Sequence, residues 1–153
     1  MLRYKLDRGL ASALARFFAG SSVIEFGAGH GCYSDVLRRA GRNISVRPFD
    51  GAPGVGAATR GFVRHADLSR PLRYGPSDWV LCLEMAEHVP RAFEAQLLAN
   101  WDAHSRIGLV ISWSMLKGVS NGHVNIRPHE SVTRISHTVP SCALSTASAK
   151  VHT

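Results

Sequence analysis

Between Val23 and Gly31 an apolar, β-branched run breaks into alternating glycines, Val23-Ile24-Glu25-Phe26-Gly27-Ala28-Gly29-His30-Gly31. The run predicts a short strand over Val23 to Phe26, and the stretch from Tyr33 to Ala40 predicts a helix closed by Gly41. Strand, glycine loop and helix therefore follow one another directly. Glycines at 27, 29 and 31 let the backbone turn sharply and approach a ligand, because no β-carbon blocks positive φ or the approach itself. A tight turn would need glycine too, so the triplet is weak until its surroundings are read.

Those surroundings repeat the pattern. Apolar residues Leu6, Leu10, Ala13, Leu14, Phe17 and Phe18 recur at helical spacing before Gly20, which predicts a leading amphipathic helix. Further strands are expected at Ile44 to Phe49, ending in Asp50; at Phe62 to His65, ending near Asp67-Leu68; at Trp79 to Leu83, running into Glu84; and at Leu109 to Trp113. After Pro90 the stretch Arg91 to His104 places Phe93, Leu97, Leu98 and Trp101 on one helical face. Strands separated by helices or long connections imply parallel pairing with right-handed crossovers: an α/β, Rossmann-like doubly wound, mostly parallel sheet with helices on both faces. Ligands of such sheets bind beyond the carboxyl ends of the strands, where Glu25, Asp50, Asp67 and Glu84 each close or follow an apolar run.

Composition narrows the class. With 45% hydrophobic and 19% charged residues, the 153-residue chain should fold as one packed domain over residues 1–132, and the Ser-, Thr- and Ala-rich stretch 133–153 is expected to be a poorly ordered tail. No apolar run reaches the roughly 20 residues of a membrane span, so a cytoplasmic protein with no membrane partner is expected. Three widely spaced cysteines form neither a disulfide framework nor a CxxC pair. The net charge of +7 could attract nucleic acid, yet Arg38-Arg39, Arg42, Arg47, Arg60, Arg64, Arg70 and Arg73 are scattered and not interleaved with aromatic residues. A nucleic-acid partner is accordingly not expected. The eight histidines show no HxxxH or Cys/His grouping, so no metal site is expected either.

Asp50 ends its strand about 20 residues beyond the loop, where an acid can accept hydrogen bonds from both hydroxyls of a ribose and repel a 2′-phosphate. A solvated turn acid beside Gly51 is the alternative. The even glycine spacing differs from the dinucleotide fingerprint, whose third small residue would fall at Cys32, and this disfavours a nicotinamide-binding protein.

The stretch Glu25-Phe26-Gly27-Ala28-Gly29-His30-Gly31, with its acid two residues before the first glycine, resembles motif I of the class I S-adenosylmethionine-dependent methyltransferases. Leu81-Cys82-Leu83-Glu84-Met85-Ala86-Glu87-His88-Val89-Pro90 resembles the strand-four segment of members acting on small molecules, and Gly122-His123-Val124-Asn125 resembles a motif that methyltransferase-like proteins carry after strand five. The Asn/Asp-Pro-Pro-aromatic tetrapeptide of adenine and amide N-methyltransferases is absent. The resemblance covers roughly Ser21 to Val132. It implies S-adenosylmethionine as cofactor, held by Glu25, Gly27, Gly29, Gly31, Asp50, Asp67, Leu68 and Glu84, with Asp67-Leu68 at the adenine. It implies a small-molecule or side-chain acceptor, for which His88 and His123 are the candidate general bases. The family continues past strand five with another helix and two strands, whereas periodicity here allows one helix near His129 to Ile135. A shortened domain with weakened catalysis, an exposed sheet edge open to self-association, and a cofactor-binding module without turnover are the readings this raises.

Overall fold

The structure, a computed structural model, describes residues 6–114, 122–128 and 130–132. Five strands form one parallel sheet in the order β3-β2-β1-β4-β5: β1 Ser22–Phe26, β2 Ser45–Asp50, β3 Arg64–His65, β4 Ser77–Cys82 and β5 Ser105–Ile111. Val23, Ile24 and Glu25 pair on one side with Val46, Arg47 and Pro48, and on the other with Trp79, Val80 and Leu81. The chain leaves β1 outward through β2 and β3, then returns to lay β4 on the other side of β1. That reversal creates the crevice in which doubly wound sheets hold ligands.

Helices cover both faces. Helix α1, Arg8–Phe17, begins where the Asp7 carboxylate accepts the Leu10 N–H at 2.9 Å, an N-cap of the kind that stabilises a helix by about 1 kcal/mol. With α2, Cys32–Arg39, it packs on the face bearing Val23, Leu81 and Val110. Helix α4, Glu94–His104, lays Leu97 and Trp101 on the opposite face against Ile24, Phe26, Val80 and Cys82. The alternation of side chains along β1 decides this split. Leu97 alone, wholly buried, contributes about 2 kcal/mol by removal from water.

The expected elements are present with three adjustments. A one-turn helix α3, Val55–Ala58, which the sequence pattern does not announce, follows Gly54, and β3 is reduced to two residues. Strand β5 starts at Ser105 instead of Leu109 and ends before Trp113, because α4 passes into it without a turn. Its first residues escape the apolar signature: Arg106 and Ile107 are exposed, and Ser105 hydrogen-bonds the Gly108 carbonyl across an irregular register with Ser77 and Trp79. Among the described residues β5 is an edge strand. The helix expected near His129 to Ile135 is described only at Glu130-Ser131-Val132, which is helical, and the stretch 133–153 lies outside the described residues. Among the described residues no helix is long and apolar enough to cross a membrane.

Candidate functional site

A groove of about 490 Å³ opens at the carboxyl ends of β1, β2 and β4, within the roughly 300–1,000 Å³ of small-molecule sites. Its lining brings together Gly27, Asp50, Asp67, Leu68 and His88 from the sequence-predicted set. Met85, Ser69, Val89 and Phe93 also line it. Glu25, Gly29, Gly31, Glu84 and His123 lie outside the lining.

The glycine loop is held from within. Gly27 and Ala28 donate to the Phe49 carbonyl at 2.9 Å, and Gly31 donates to that of Ala28 at 2.8 Å. The Asp50 carboxylate accepts the Gly29 N–H and the Ala52 N–H, both at 2.7 Å. Two of its roughly four lone-pair sites are thus used to aim it, which leaves acceptor capacity at the groove. Gly27 has φ +80°, and a β-carbon there would stand 2.3 Å from Met85 Cγ, so only glycine lets Met85 lie across the loop.

Glu25 sits beneath this loop instead of in the groove. It shares the sheet face of Val23, so it points toward α2 and accepts a hydrogen bond from the Ser34 hydroxyl. Burial raises its carboxyl to about 7, against the opposing effect of the Ser34 bonds. Its contribution to a ligand over the glycines would be through the loop, not by contact.

Asp67 caps its own turn, accepting the Ser69 amide at 3.0 Å and the Ser69 hydroxyl at 2.6 Å, with the Arg70 guanidinium 3.4 Å from its other oxygen. The Ser69 bonds hold its pKa below the usual carboxylate value. Leu68 is 6% exposed and forms an apolar wall. Sequence reading missed the residue that fixes this wall: Asn100 of α4, buried, donates to the Leu68 and Arg70 carbonyls and accepts the Leu72 N–H. An Asn on an otherwise apolar helical face was the available signal. Arg47, one of the scattered cations, is likewise structural, donating to the carbonyls of Tyr74 and Gly75 and to the Ser77 hydroxyl.

The two sequence stretches that looked most distinctive fold onto each other. The Glu87 carbonyl accepts the Val124 and Asn125 N–H groups, both at 2.9 Å, and His88 Nδ1 lies 3.0 Å from the Gly122 carbonyl. Glu94 at the start of α4 clamps the same loop by a paired ion contact with Arg127, shortest at 2.6 Å, and by a bond from Asn125 at 2.9 Å. Trp113 Nε1 donates to the Asn125 carbonyl at 2.6 Å. As a result the rings of His88 and His123 meet edge to face, 4.9 Å between centroids, and His123 Nε2 lies 3.9 Å from the Glu87 carboxylate. No residue spacing along the chain discloses this group, because His123 is remote in sequence from Glu87-His88. Glu84 is exposed on a left-handed backbone, φ +48°, and its amide donates to the Ser112 hydroxyl at 2.9 Å.

This topology and rim define a fold class, and solved structures share it. The small RNA methyltransferase HEN1 superposes with a TM-score of 0.71 at 14% identity, over 91% of this chain and 22% of that one. Magnesium protoporphyrin IX methyltransferase from Synechocystis, solved with bound S-adenosylhomocysteine, gives 0.65 at 16% identity over 83% and 69% of the two chains. The chain has the fold of the class I S-adenosylmethionine-dependent methyltransferases. In sequence it is 33% identical over 113 residues to an uncharacterized methyltransferase of Mycobacterium avium, and equally to one of Mycolicibacterium paratuberculosis. The match takes in 69% of this chain, which spans 44% of the length of those curated relatives. No family model matches.

Proposed function

We propose that the groove binds S-adenosylmethionine and that the chain directs its methyl group to a small-molecule or side-chain acceptor. The observation that carries this is the placement of two aspartates, Asp50 and Asp67, at the tips of adjacent strands beside Gly27 in a single groove. Asp50 would take the ribose hydroxyls with the lone pairs its amide partners leave free. Asp67 would face the adenine amine, and Leu68 would pack against the base. The bare Gly27 surface and Met85 would border the methionine portion. Curated relatives described as methyltransferases and fold neighbours solved with S-adenosylmethionine or its demethylated product support the choice of ligand.

Bound there, S-adenosylmethionine supplies a methyl group already activated on sulfur. The chain's own task is then to orient the acceptor in line and exclude water. His88 lines the groove on the side of β4 and Pro90, the position from which an acceptor would be oriented, with His123 and Glu87 behind it. Val89 and Phe93 supply apolar walls that keep water from that end.

Titration calorimetry with S-adenosylmethionine, S-adenosylhomocysteine and NAD tests the ligand. Saturable binding of both adenosyl compounds without NAD binding is expected. Asp50→Ala should weaken S-adenosylhomocysteine at least 10-fold, about 1.4 kcal/mol or more, because it removes a charged acceptor and frees the Gly29 amide. Unaltered affinity in a folded Asp50→Ala chain rejects the site. Formation of S-adenosylhomocysteine with a panel of hydroxyl, amine and thiol acceptors tests turnover; binding without any turnover would make the chain a cofactor-binding module.

A further inference from the structure

We infer that Glu25 reads the charge of the bound adenosyl compound from beneath the glycine loop and sets the chain's preference for the cationic sulfonium over its neutral thioether product. The inference rests on the methyl-transfer reading of the groove. S-adenosylmethionine and S-adenosylhomocysteine differ by one methyl, and that methyl makes the sulfur a cation. A residue that tells them apart from a distance must therefore offer negative charge near the methionine portion, and its influence must vanish when that charge is removed.

Glu25 is placed to do so without touching the ligand. It lies two strand residues before Gly27, roughly 7 Å along β1, and Gly27 lines the groove. Packed protein fills that span, since Glu25 is 3% exposed and Phe26 is wholly buried, so a charge there is weakly screened. Helix α2 opens on Gly31, which is left-handed and has no side chain to cap the helix. The Glu25 carboxylate takes that place from β1, accepting bonds from the hydroxyl and the amide of Ser34 in the first turn. Across the loop, Asp50 accepts the Gly29 amide at 2.7 Å. Two carboxylates thus brace one loop, and of the two Asp50 alone lines the groove.

Burial raises the Glu25 carboxyl to about 7 against the Ser34 bonds, and the Asp50 carboxylate pushes the same way, so a charge at the groove is felt at Glu25. A cation over Gly27 acts in the opposite sense and draws the proton off. The neighbouring ionisable groups leave this response to Glu25. Burial raises Tyr33 of α2 and, much further, Cys82 of β4, so both stay neutral around pH 7. Asp35 is paired with Arg38 and Arg39, and Arg8 and Arg16 of α1 are exposed. With Glu25 protonated, the two adenosyl compounds are held alike from this side; with Glu25 ionised, the sulfonium is favoured. The preference for S-adenosylmethionine should therefore climb as pH approaches about 7 and level off above it. Once the methyl has gone the product loses that hold, which favours its exchange for fresh S-adenosylmethionine.

The test uses the whole chain. Calorimetric titrations with each adenosyl compound from about pH 5 to about pH 8.5 give the ratio of their affinities. In the parent the ratio should move toward S-adenosylmethionine by about 5-fold or more, the effect of one charge at this range in a partly shielded interior. Near neutral pH, titrations in buffers of different ionisation enthalpy should show S-adenosylmethionine releasing more protons than S-adenosylhomocysteine. Glu25→Gln keeps the side chain's shape and an acceptor for the Ser34 hydroxyl; it should bind both compounds with a ratio that changes less than about 2-fold. Ser34→Ala, which removes a bond to the ionised carboxylate, should displace the rise to higher pH. Any pH dependence from the exposed His30 or the groove-lining His88 is common to parent and variants. A flat ratio with equal proton release in the parent overturns the inference, as does an unreduced rise in Glu25→Gln or an undisplaced one in Ser34→Ala. Should Glu25→Gln fail to fold, proton release in the parent and the Ser34→Ala displacement decide. Binding of neither compound at any pH removes the methyl-transfer reading and this inference with it; binding of both with a flat ratio removes the inference alone.

Discussion

The rim over β1, β2 and β3 and the cluster after β4 differ in how their polar groups are satisfied. At the rim each group has its own local partner, Asp50 the Gly29 and Ala52 amides, Asp67 the Ser69 amide and hydroxyl, and the Gly27 amide the Phe49 carbonyl, so the surface that would meet an adenosyl group is shaped before any ligand arrives. In the cluster the surrounding backbone is just as firmly tied, while His123 Nδ1 is buried without a partner and burial raises the Glu87 carboxyl to about 6. The first arrangement presents a finished surface. The second presents a rigid frame around side chains whose polar demands the frame does not fully meet.

Substitutions should therefore behave differently in the two regions. The largest effect is expected for Gly27→Ala. Its φ of +80° disfavours any β-carbon by about 1–2 kcal/mol, and the contact with Met85, whose own Cβ would be 2.5 Å away, adds about 1–3 kcal/mol. Chemical denaturation should thus show a loss of roughly 2–5 kcal/mol, and a loss under 1 would mean that the loop is not the close-packed element described.

Next comes Glu25, whose carboxyl lies at about 7 when folded and 4.5 in the open chain. Folding favours its protonated form, so this contribution is complete below pH 4.5 and is lost as pH rises through 7. The parent chain should lose about 3 kcal/mol from this group between pH 4.5 and 8, and Glu25→Gln should flatten that part of the stability–pH profile. An identical slope in the variant would refute the burial account.

Asn100→Ala should cost about 2 kcal/mol by stranding the Leu68 and Arg70 carbonyls, and it should weaken S-adenosylhomocysteine without removing any contact atom. The smallest effect belongs to the cluster. His88→Ala should change stability by no more than about 0.5 kcal/mol, as expected for an exposed position. A large destabilisation would erase the contrast, making the cluster part of the scaffold.

Much of the rim was legible in the sequence because its signals are local. An apolar run followed by glycine or an acid marks a strand end, and Gly27, Asp50 and Asp67 follow from that rule, while Leu68 comes only with the family resemblance. Glu25 follows the same rule, but alternation along β1 turns its side chain to the face of Val23 and α2, away from the groove. Strand β5 was read four residues late because an edge strand can begin with polar and exposed residues. Asn100 and the Glu87–His88–His123 group depend on contacts across 30 or so residues, and spacing rules that look for neighbouring ligands do not reach that far.

Phe93 borders the groove, and the very next residue, Glu94, grips the loop bearing His123 through Arg127 and Asn125. One short segment thus carries both a wall of the groove and the clasp on the loop packed behind it.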